Sequence, residues 1–436
     1  MSDSLPRVVI VGGGFAGLAA AKALRNTPAR IILIDRSNHH LFQPLLYQVA
    51  TSVLTPGQIG SPIRGVLRRQ SNTTVILGEV TSVDRAKKSV YVSNGLRENV
   101  PITYDYLVLA TGVTHSYLGH DEFAPFAPGL KSLADAVAIR NNILRAFEQA
   151  EAEEDPAKHR DLLTFVLVGG GPTGVEMAAA IAVFVRTTLR REFRRVDPMS
   201  ARILVIDRGK RVLGTFAEEI SEAAMKRLEH LGVEVRNGVG LDDIDADGVT
   251  VAGERILSKV VIWTAGVAPS PAGKWLNAET DRAGRVRVQP DLSVPGSPEV
   301  FVLGDTASLD QDGHALPGVA QVAIQQGRYA GRQIARRISG GSISKPFRYF
   351  DKGNMAVVGG GFAVLQTGKV RMHGFLAWLA WGLVHLQFLA QSSERVSVFL
   401  QWIWTANTGQ RGSRLIVNHH GTRQVPEAAK AQEARK

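Results

Sequence analysis

The chain has 436 residues, of which 44% are hydrophobic and 44 are glycines, so it can bury large cores in two or three domains and does not belong to the disordered or fibrous classes. Cysteine is absent, which excludes disulfide scaffolds, iron–sulfur clusters, zinc–thiolate sites and thiol catalysis, and no metal site is predicted. The net charge of +11 favours an anionic partner, but Lys and Arg are dispersed and no nucleic-acid module is visible, so nucleic acid is not expected.

The chain opens with the pattern of a nucleotide-binding βαβ unit. Residues 7–11 (RVVIV) predict a buried parallel strand, a glycine turn and an Ala-rich helix follow, and residues 30–36 (RIILIDR) predict a second strand that ends in an acid. Further strands are predicted within 75–92 and over 104–112, and a helix over 133–154. The N-terminus has no charged segment before an apolar core, so no secretion signal is expected.

The opening pattern returns in the middle of the chain. Residues 164–168 (TFVLV) predict a strand, a second glycine turn and helix follow, and residues 202–208 (RILVIDR) again form a strand that ends in an acid. Strands are predicted within 285–303 and a helix over 318–338. The sequence therefore predicts an α/β fold with two Rossmann-like dinucleotide-binding domains.

The first glycine turn reads G-x-G-x-x-G. Gly12 permits the tight turn, Gly14 lets the backbone approach a pyrophosphate, and Gly17 lets the helix and strand pack closely. Asp35 ends the strand that follows this turn and helix, where it would accept hydrogen bonds from ribose hydroxyls. Such a motif alone could be an ordinary glycine turn, but with both strands, the helix and the acid it predicts nucleotide binding.

The second glycine turn has the same spacing, at Gly169, Gly171 and Gly174. Its acid, Asp207, follows the last glycine at a longer distance in sequence than usual, and a charged helical extension over 186–195 would account for the difference. An acid at this position repels a 2′-phosphate and favours NADH over NADPH. Arg208 and Arg211 follow closely and weaken that preference.

Two binding units in one chain suggest two dinucleotides, and the N-terminal unit with a late return of the chain is best interpreted as an FAD site. Strands in the two halves end in similar glycine-containing turns, and a third turn resembles a late flavoprotein motif whose acid binds the ribitol chain. The residues concerned are Ala110, Thr111, Gly112, Ala265, Gly266, Gly304 and Asp305. Asp305 could alternatively, or in addition, cap a helix before Thr306.

On these features the sequence resembles the flavoproteins with two dinucleotide-binding domains, and within them the type II NADH:quinone oxidoreductases. The resemblance extends to about residue 415. Its most specific segments are residues 40–50 (HLFQPLLYQVA) and residues 320–326 (AQVAIQQ), the latter matching the A-Q-x-A-x-Q motif of that family.

The resemblance implies roles for individual residues. It places Gln321 and Gln325 beside the flavin and the quinone, where an uncharged amide can donate to a quinone carbonyl. It places Glu176 near the nicotinamide and Lys352 near the flavin and quinone. Further flavin contacts are expected at Phe15, Ala16, Arg36, Val80 and Ala320. The alternatives are solvated glutamines on an interface helix, a carboxylate that complements a helix dipole, and a surface lysine.

The implied reaction is hydride transfer from NADH to FAD, followed by two-electron reduction of a membrane quinone without proton pumping. The absence of cysteine argues against the disulfide reductases and sulfide:quinone oxidoreductases that share this architecture. The nearest rival is a soluble NADH-dependent reductase of a ferredoxin or rubredoxin, and a second is a flavin-bound redox sensor without turnover.

Residues 375–404 are the most apolar and aromatic part of the chain and hold four of its six tryptophans: Trp378, Trp381, Trp402 and Trp404. The first apolar run would make a helix of about 24 Å, too short to span a bilayer. Tryptophan favours the membrane interface, and Arg371, Arg395, Arg411 and Arg414 flank the runs and could meet anionic head groups. The sequence therefore predicts a pair of amphipathic helices that binds the bilayer. The alternatives are a buried helical hairpin and a homodimer interface.

The predicted domains are an FAD-binding domain over 1–115 and 285–368, an NADH-binding domain over 116–284, a membrane-binding region over 369–415 and a polar tail over 416–436. Peripheral attachment to the cytoplasmic face of the cell membrane is expected. Truncation before about His373 is expected to release the protein from membranes and to keep FAD.

Overall fold

The computed structural model describes residues 5–341 and 345–417. The predicted polar tail lies, from residue 418 onward, outside the described residues. The helices, in chain order, are α1 (Phe15–Ala23), α2 (Leu46–Ala50), α3 (Pro56–Ile59), α4 (Ile63–Leu67), α5 (Leu133–Ala152), α6 (Pro156–Leu162), α7 (Pro172–Val183), α8 (Glu218–His230), α9 (Ala272–Leu276), α10 (Ala320–Ile338), α11 (Phe375–Phe388) and α12 (Ser392–Thr408).

The first large sheet has six strands, five of them parallel. In spatial order they are Ser293–Val294, Ser297–Val302, Tyr106–Leu109, Arg7–Val11, Arg30–Asp35 and Thr73–Leu77. The central strands are apolar along their length and lie between helices, as a buried parallel sheet requires. Strand Ser297–Val302 pairs with Tyr106–Leu109 although the whole of the second glycine unit lies between them in sequence. The first unit is therefore built from two separated stretches of the chain.

The second large sheet is fully parallel and repeats the first on a smaller scale. Its strands, in spatial order, are Val233–Asn237, Arg202–Asp207, Thr164–Val168 and Val260–Trp263. The predicted helical extension after α7 is present in part: a π-helical turn over Phe184–Thr188 and a 3₁₀ turn over Leu189–Arg191 continue the helix, and a loop follows. This insertion explains the long spacing between the second glycine turn and its acid.

The remaining strands form small antiparallel sheets of three strands and two-stranded ribbons around these two units. Three sheets have three strands each: Glu79–Asp84, Ser89–Ser93 and Val100–Thr103; Leu241–Asp245, Gly248–Val251 and Glu254–Leu257; and Asn354–Val357, Ala363–Thr367 and Val370–Gly374. Four ribbons pair His39–Leu41 with Gly60–Pro62, Val113–His115 with Val267–Pro269, Val286–Arg287 with Ala307–Ser308, and Asp310–Gln311 with His314–Ala315. The third of these ribbons is parallel, and the second joins the two large units directly.

Helices α1 and α10 approach each other so closely at two glycines of α10 that no larger residue would fit there. A Cβ on Gly327 would lie 2.2 Å from the carbonyl oxygen of Ala16, and one on Gly331 would lie 2.7 Å from that of Ala20. The two glycines therefore permit backbone contact between the helices. This packing fixes α10, which carries the glutamine motif, against the helix that follows the first glycine turn.

The two C-terminal helices form a hairpin with one face inside the protein. Trp381 is 2% exposed, and Ala377, Leu389 and Val398 are also buried, in the same core as the helices of the second unit. The rings of Trp381 and Trp402 lie 5.3 Å apart between the helices. The hairpin therefore has a core-forming inner face and an exposed outer face. Truncation before His373 would remove these buried side chains, so we now expect the truncated chain to be destabilised; its retention of FAD stays a prediction.

Of the four flanking arginines that the sequence predicted to meet head groups, Arg411 is buried, Arg414 is half-buried, and Arg371 and Arg395 are exposed. Arg411 is 3% exposed, donates to the Thr51 carbonyl at 2.6 Å and stacks over the Phe184 ring. The other three are held on the protein: Arg371 pairs with Glu219, Arg414 pairs with Glu192, and Arg395 donates to the Leu389 carbonyl. The spacing of charges along the chain could not reveal these tertiary partners.

Candidate redox site

A cavity of about 780 Å³ opens where the strands of the six-stranded sheet end, the position at which α/β folds bind ligands. The residues predicted to bind a flavin that line it are Gly12, Gly14, Phe15, Ala16, Asp35, Arg36, Val80, Ala110, Thr111, Gly112, Gly304, Asp305 and Ala320. The topology therefore brings together nearly the whole predicted set, including the residues that return from the far end of the chain.

The first glycine turn has the geometry that the spacing predicts. Gly12 has φ of +102°, and a Cβ there would lie 2.2 Å from the Ala110 carbonyl oxygen. A Cβ on Gly17 would lie 1.8 Å from the Gly12 carbonyl oxygen, so Gly17 supports the turn and does not line the cavity. Gly14, by contrast, has open space around its Cα. The turn leaves its backbone accessible to a phosphate at the start of α1.

Asp35 holds the glycine turn as well as facing the cavity. Its Oδ2 accepts from the Gly13 N–H at 2.5 Å, and its Oδ1 accepts from the Ser37 N–H at 2.6 Å. Each oxygen keeps a lone pair for a ribose hydroxyl. On the other side of the turn, His40 Nδ1 lies 3.0 Å from the Gly13 carbonyl, and burial lowers the His40 pKa to about 4. Sequence reasoning did not assign His40 or Gly13 to the site.

Asp305 also lines the cavity, in a turn fixed by Gln326. The buried Gln326 side chain accepts from the Gly304 N–H at 2.6 Å. Burial raises the pKa of Asp305, while the positive charges of Lys131 and Arg285 oppose that shift. Gln326 and Lys131 were not predicted; the only available signal for Gln326 was a third glutamine in the A-Q-V-A-I-Q-Q run.

A second cavity, of about 170 Å³, lies at the second glycine turn and is lined by Gly169, Asp207, Arg208, Trp263 and Ala265, among others. The predicted Gly171, Gly174 and Gly266 do not line it. A Cβ on Gly174 would lie 1.9 Å from the Gly169 carbonyl oxygen, so this glycine supports the turn as Gly17 does in the first unit.

Asp207 repeats the role of Asp35. Its Oδ2 accepts from the Gly170 N–H at 2.5 Å, and its Oδ1 accepts from the Gly209 N–H at 2.7 Å. The neighbouring Arg208 lines the same cavity. Asp35 and Asp207, each at the end of the second strand of its βαβ unit, therefore have two functions. Each fixes a glycine turn and presents its remaining lone pairs to a cavity.

Glu176 connects the two units. It lies in the first turns of α7, the helix that begins at the second glycine turn, yet its side chain lines the first cavity together with Thr173 and Tyr47. Its Oε1 accepts from the Val357 N–H at 3.3 Å. Burial raises the pKa of Glu176 to about 8, so the carboxyl group holds a proton at neutral pH.

This pKa gives a test by stability. The pKa of Glu176 is about 8 in the folded protein against an ordinary 4.5, so its stabilising contribution is complete below pH 4.5 and is lost as the pH rises towards 8. Glu176→Gln, which is neutral throughout, should therefore raise Tm relative to the unmutated protein progressively from pH 5 to pH 9. Thermal unfolding followed by circular dichroism measures this. The prediction would be contradicted if Tm changed with pH in the same way in both proteins, or if the exposed control Glu222→Gln showed the same rise in Tm.

Tyr47 links the first cavity to the C-terminal hairpin. The Gln48 Nε2 donates to the Tyr47 hydroxyl at 3.0 Å, and the Trp402 Nε1 donates to the Gln48 Oε1 at 2.7 Å. Burial raises the Tyr47 pKa well above its usual value, so the phenol stays protonated. Helix α12 is thus hydrogen-bonded, through Gln48, to a residue of the cavity wall.

The glutamines of the A-Q-x-A-x-Q motif bind backbone. Gln321 donates to the Gly353 carbonyl at 2.7 Å and accepts from the Lys352 N–H at 3.2 Å. Gln325 makes the same reciprocal pair with both backbone groups of Phe350, at 2.9 and 3.0 Å. Each amide keeps one donor and one acceptor site. Neither side chain lines the first cavity, although Ala320, one residue before the motif's first glutamine, does.

Lys352 is placed by these glutamines. Its Nζ lies 5.8 Å from the centre of the Phe388 ring at the end of α11, a cation–π contact. The structure therefore brings Gln321, Gln325 and Lys352 together on one segment, which reaches the C-terminal hairpin through Lys352 and begins next to Ala320 of the first cavity.

The site fits a bound FAD. The first cavity falls in the range of cofactor sites and is lined by a glycine turn with accessible backbone and by two acids, Asp35 and Asp305. The second cavity adjoins its own glycine turn and acid. Two dinucleotide sites of this kind, connected by Glu176, form a redox site for a flavin and a nicotinamide.

The comparisons with known proteins agree with this geometry. Residues 6–327 match the pyridine nucleotide-disulphide oxidoreductase family. A type II NADH:quinone oxidoreductase of Mycobacterium tuberculosis is 45% identical over 94% of this chain and 90% of its own, and a demethylphylloquinone reductase of Synechocystis is 30% identical over 92% and 97%. The structure of NDH2 from Plasmodium falciparum in complex with NADH superposes with a TM-score of 0.84 over 95% of this chain and 100% of its own, at 19% identity. The chain belongs to the pyridine nucleotide-disulphide oxidoreductase family and, within it, to the type II NADH:quinone oxidoreductases.

Proposed function

We infer that this protein oxidises NADH at a bound FAD and reduces a quinone at the surface of a bilayer. The observation that carries this function is the position of Glu176. It lies on the helix that starts at the second glycine turn, and it lines the cavity beside the first. A nicotinamide extending from the second turn would therefore reach the flavin in the first cavity.

When bound, FAD supplies the redox chemistry, accepting a hydride and passing on electrons in pairs. The chain binds and orients the two dinucleotides. Asp35 and Asp207 fix the glycine turns that would hold the phosphates, and Asp305 presents a further carboxyl group to the first cavity. Glu176 holds a proton at its carboxyl group at neutral pH, so it places no negative charge beside the reacting ring.

We assign the FAD-binding domain to residues 1–115 and 285–368 and the NADH-binding domain to 116–284. The six-stranded sheet contains strands from both 1–115 and 285–368, and the four-stranded sheet lies wholly within 116–284. Limited proteolysis with and without NADH tests the division, since the ligand should protect cleavage sites within 116–284 most strongly.

The quinone is assigned to the side of the flavin where Gln321, Gln325 and Lys352 lie. Lys352 contacts Phe388 of the hairpin, so a quinone entering from the bilayer would pass the aromatic end of α11. The free donor site on each amide could bind a quinone carbonyl.

Gln321→Ala should slow quinone reduction by about tenfold or more, because it releases the Lys352–Gly353 backbone and removes a donor. Reduction of the flavin by NADH should change little. Anaerobic stopped-flow measurement of the two half-reactions separates these effects.

The matched control is Gln311→Ala. Gln311 makes a similar reciprocal pair with Tyr349, further along the same extended segment, at 2.8 and 3.2 Å. If this variant slows quinone reduction as much as Gln321→Ala does, then the glutamines only anchor the segment. If both half-reactions fall together, the quinone assignment fails.

We further propose that the protein is peripheral and lies on the cytoplasmic face of the cell membrane. The outward residues of the hairpin are apolar and repeat at helical spacing: Leu376, Leu379 and Leu383 on α11, and Val396, Phe399, Leu400, Ile403 and Trp404 on α12. No helix in the described part of the chain is long and apolar enough to span a membrane. Such a face on a monomer marks a membrane or protein interface, and a homodimer is the alternative occupant.

The steady-state test is NADH oxidation by the purified protein with and without a short-chain quinone. Activity that depends on the quinone supports the function. Activity that appears only with an added ferredoxin or rubredoxin would favour the soluble rival instead.

A further inference from the structure

Seven basic side chains surround the turn between α11 and α12: Lys22, Arg25, Arg68, Arg69, Arg328, Arg332 and Arg395. They line two adjoining grooves, of about 610 and 430 Å³, which share Lys22 and Ala390. The residues come from four separate parts of the fold, α1, the end of α4, α10 and α12, so no local sequence pattern predicts the cluster. We call it the basic groove.

The charged side chains that line the basic groove are all positive, within the described part of the chain. No acidic residue of that part of the chain lines either half of it. Within the same residues, none of its seven cations forms a salt bridge; Arg25 and Arg395 donate only to the carbonyls of Arg69 and Leu389. The nearest acid on α12, Glu394, is buried and occupied by Ser61 and Gln391. A concave surface with unbalanced positive charge favours an anionic ligand.

The cations act on one another across the groove. Partial burial lowers the pKa of Lys22, and the positive charges of Arg328 and Arg395 lower it further. An anion in the groove would reverse this mutual repulsion. Two serines on the first turn of α12, Ser392 and Ser393, line the same surface and can donate hydrogen bonds to oxygen atoms.

The position of the groove identifies the source of the anion. Arg395 is followed directly by Val396, the first residue of the exposed apolar row on α12, and Phe399 lies one turn further along. A helix hairpin that inserts this row among acyl chains places its connecting turn at the level of the head groups. At that level the anions are phosphate groups of lipids.

We propose that the basic groove binds the phosphate group of an anionic phospholipid and so fixes how the hairpin lies in the bilayer. The proposal deepens the membrane attachment proposed above and rests on it. It differs from the sequence-based expectation, which assigned head-group binding to Arg371, Arg411 and Arg414 as well as Arg395. Of these only Arg395 belongs to the groove.

The test is cosedimentation of the FAD-loaded protein with vesicles, either of phosphatidylcholine alone or of an equimolar mixture of phosphatidylcholine and phosphatidylglycerol. Each basic residue near an anionic surface strengthens binding by about fivefold, so Arg68→Gln/Arg69→Gln and Arg328→Gln/Arg332→Gln should each lower the partition coefficient on the anionic vesicles by about 25-fold. Binding to phosphatidylcholine and turnover with a water-soluble quinone should be unchanged. The control is Arg97→Gln/Arg282→Gln, which removes two exposed arginines away from the groove.

Four results would overturn the proposal. If the control pair weakens anionic binding as much as the groove pairs do, the effect is a property of net charge. If the unmutated protein prefers anionic vesicles but the groove pairs do not alter that preference, the membrane attachment stands and the groove is not the site. If the unmutated protein binds neither vesicle, the membrane attachment itself fails. Inorganic phosphate at constant ionic strength should not displace the protein; displacement would show a site for free phosphate instead.

Discussion

Asp207→Asn should lower kcat/KM for NADH by at least about tenfold and should narrow the preference over NADPH. The amide cannot accept from both the Gly170 and Gly209 N–H groups as the carboxylate does, and a hydrogen bond to a charged group contributes about 1.5–3 kcal/mol. The substitution also removes the charge that repels a 2′-phosphate, while Arg208 remains in the cavity to attract one. Steady-state kinetics with both nucleotides measure the two effects.

Asp197→Asn is the matched control. Asp197 caps a 3₁₀ turn in the same unit through the Met199 N–H and does not line the second cavity. It should leave both kcat/KM values unchanged. Equal use of NADH and NADPH by the unmutated protein would remove the argument for Asp207 as the discriminating residue.

The combined variant Leu383→Gln, Phe399→Gln and Trp404→Gln should lower the partition coefficient on phosphatidylcholine vesicles by about three orders of magnitude or more. All three side chains are exposed on the outer face of the hairpin, and burial of each in an apolar phase would contribute about 1.5–3 kcal/mol. Since these side chains make no core, FAD content and Tm should be kept.

Variants of the inner face should behave in the opposite way. Trp381→Ala should destabilise the fold by about 3–5 kcal/mol, because it empties a fully packed position. At temperatures where the Trp381→Ala variant stays folded, it should bind vesicles almost as well as the unmutated protein. If the outer-face variant changes the oligomeric state and leaves vesicle binding unaltered, the face is a homodimer interface.

The sequence was most informative where the local pattern and the chemistry coincide. Gly12, Gly17 and Asp35 are fixed by the geometry of one βαβ unit, so their spacing alone predicted their positions correctly. Asp305 was also predicted, although it comes from the far end of the chain, because the family resemblance supplied what the spacing could not.

The sequence was least informative where a side chain finds its partner across the fold. Arg411 follows an apolar run and resembles a head-group ligand, but it is buried against Phe184. Truncation before His373 was expected to release the protein from membranes and to keep FAD, because nothing in the sequence shows that Trp381 faces inward. The glutamines were identified as a motif, yet their attachment to the backbone of residues 350–353 depends on tertiary contacts between α10 and that segment.

That attachment has a consequence for how such a protein can diversify. Gln311, Gln325 and Gln321 hold Tyr349, Phe350, Lys352 and Gly353 through peptide groups alone, which every amino acid except proline possesses. The segment's path is therefore independent of most of its side chains. Two positions are constrained: Gly353, whose φ is +91° and where a Cβ would lie 2.4 Å from the Gln366 carbonyl oxygen, and Asp351, whose Oδ1 accepts from the Gly353 N–H at 2.8 Å. If the electron acceptor approaches along this segment as proposed, substitutions at the other positions would change that approach without altering the scaffold.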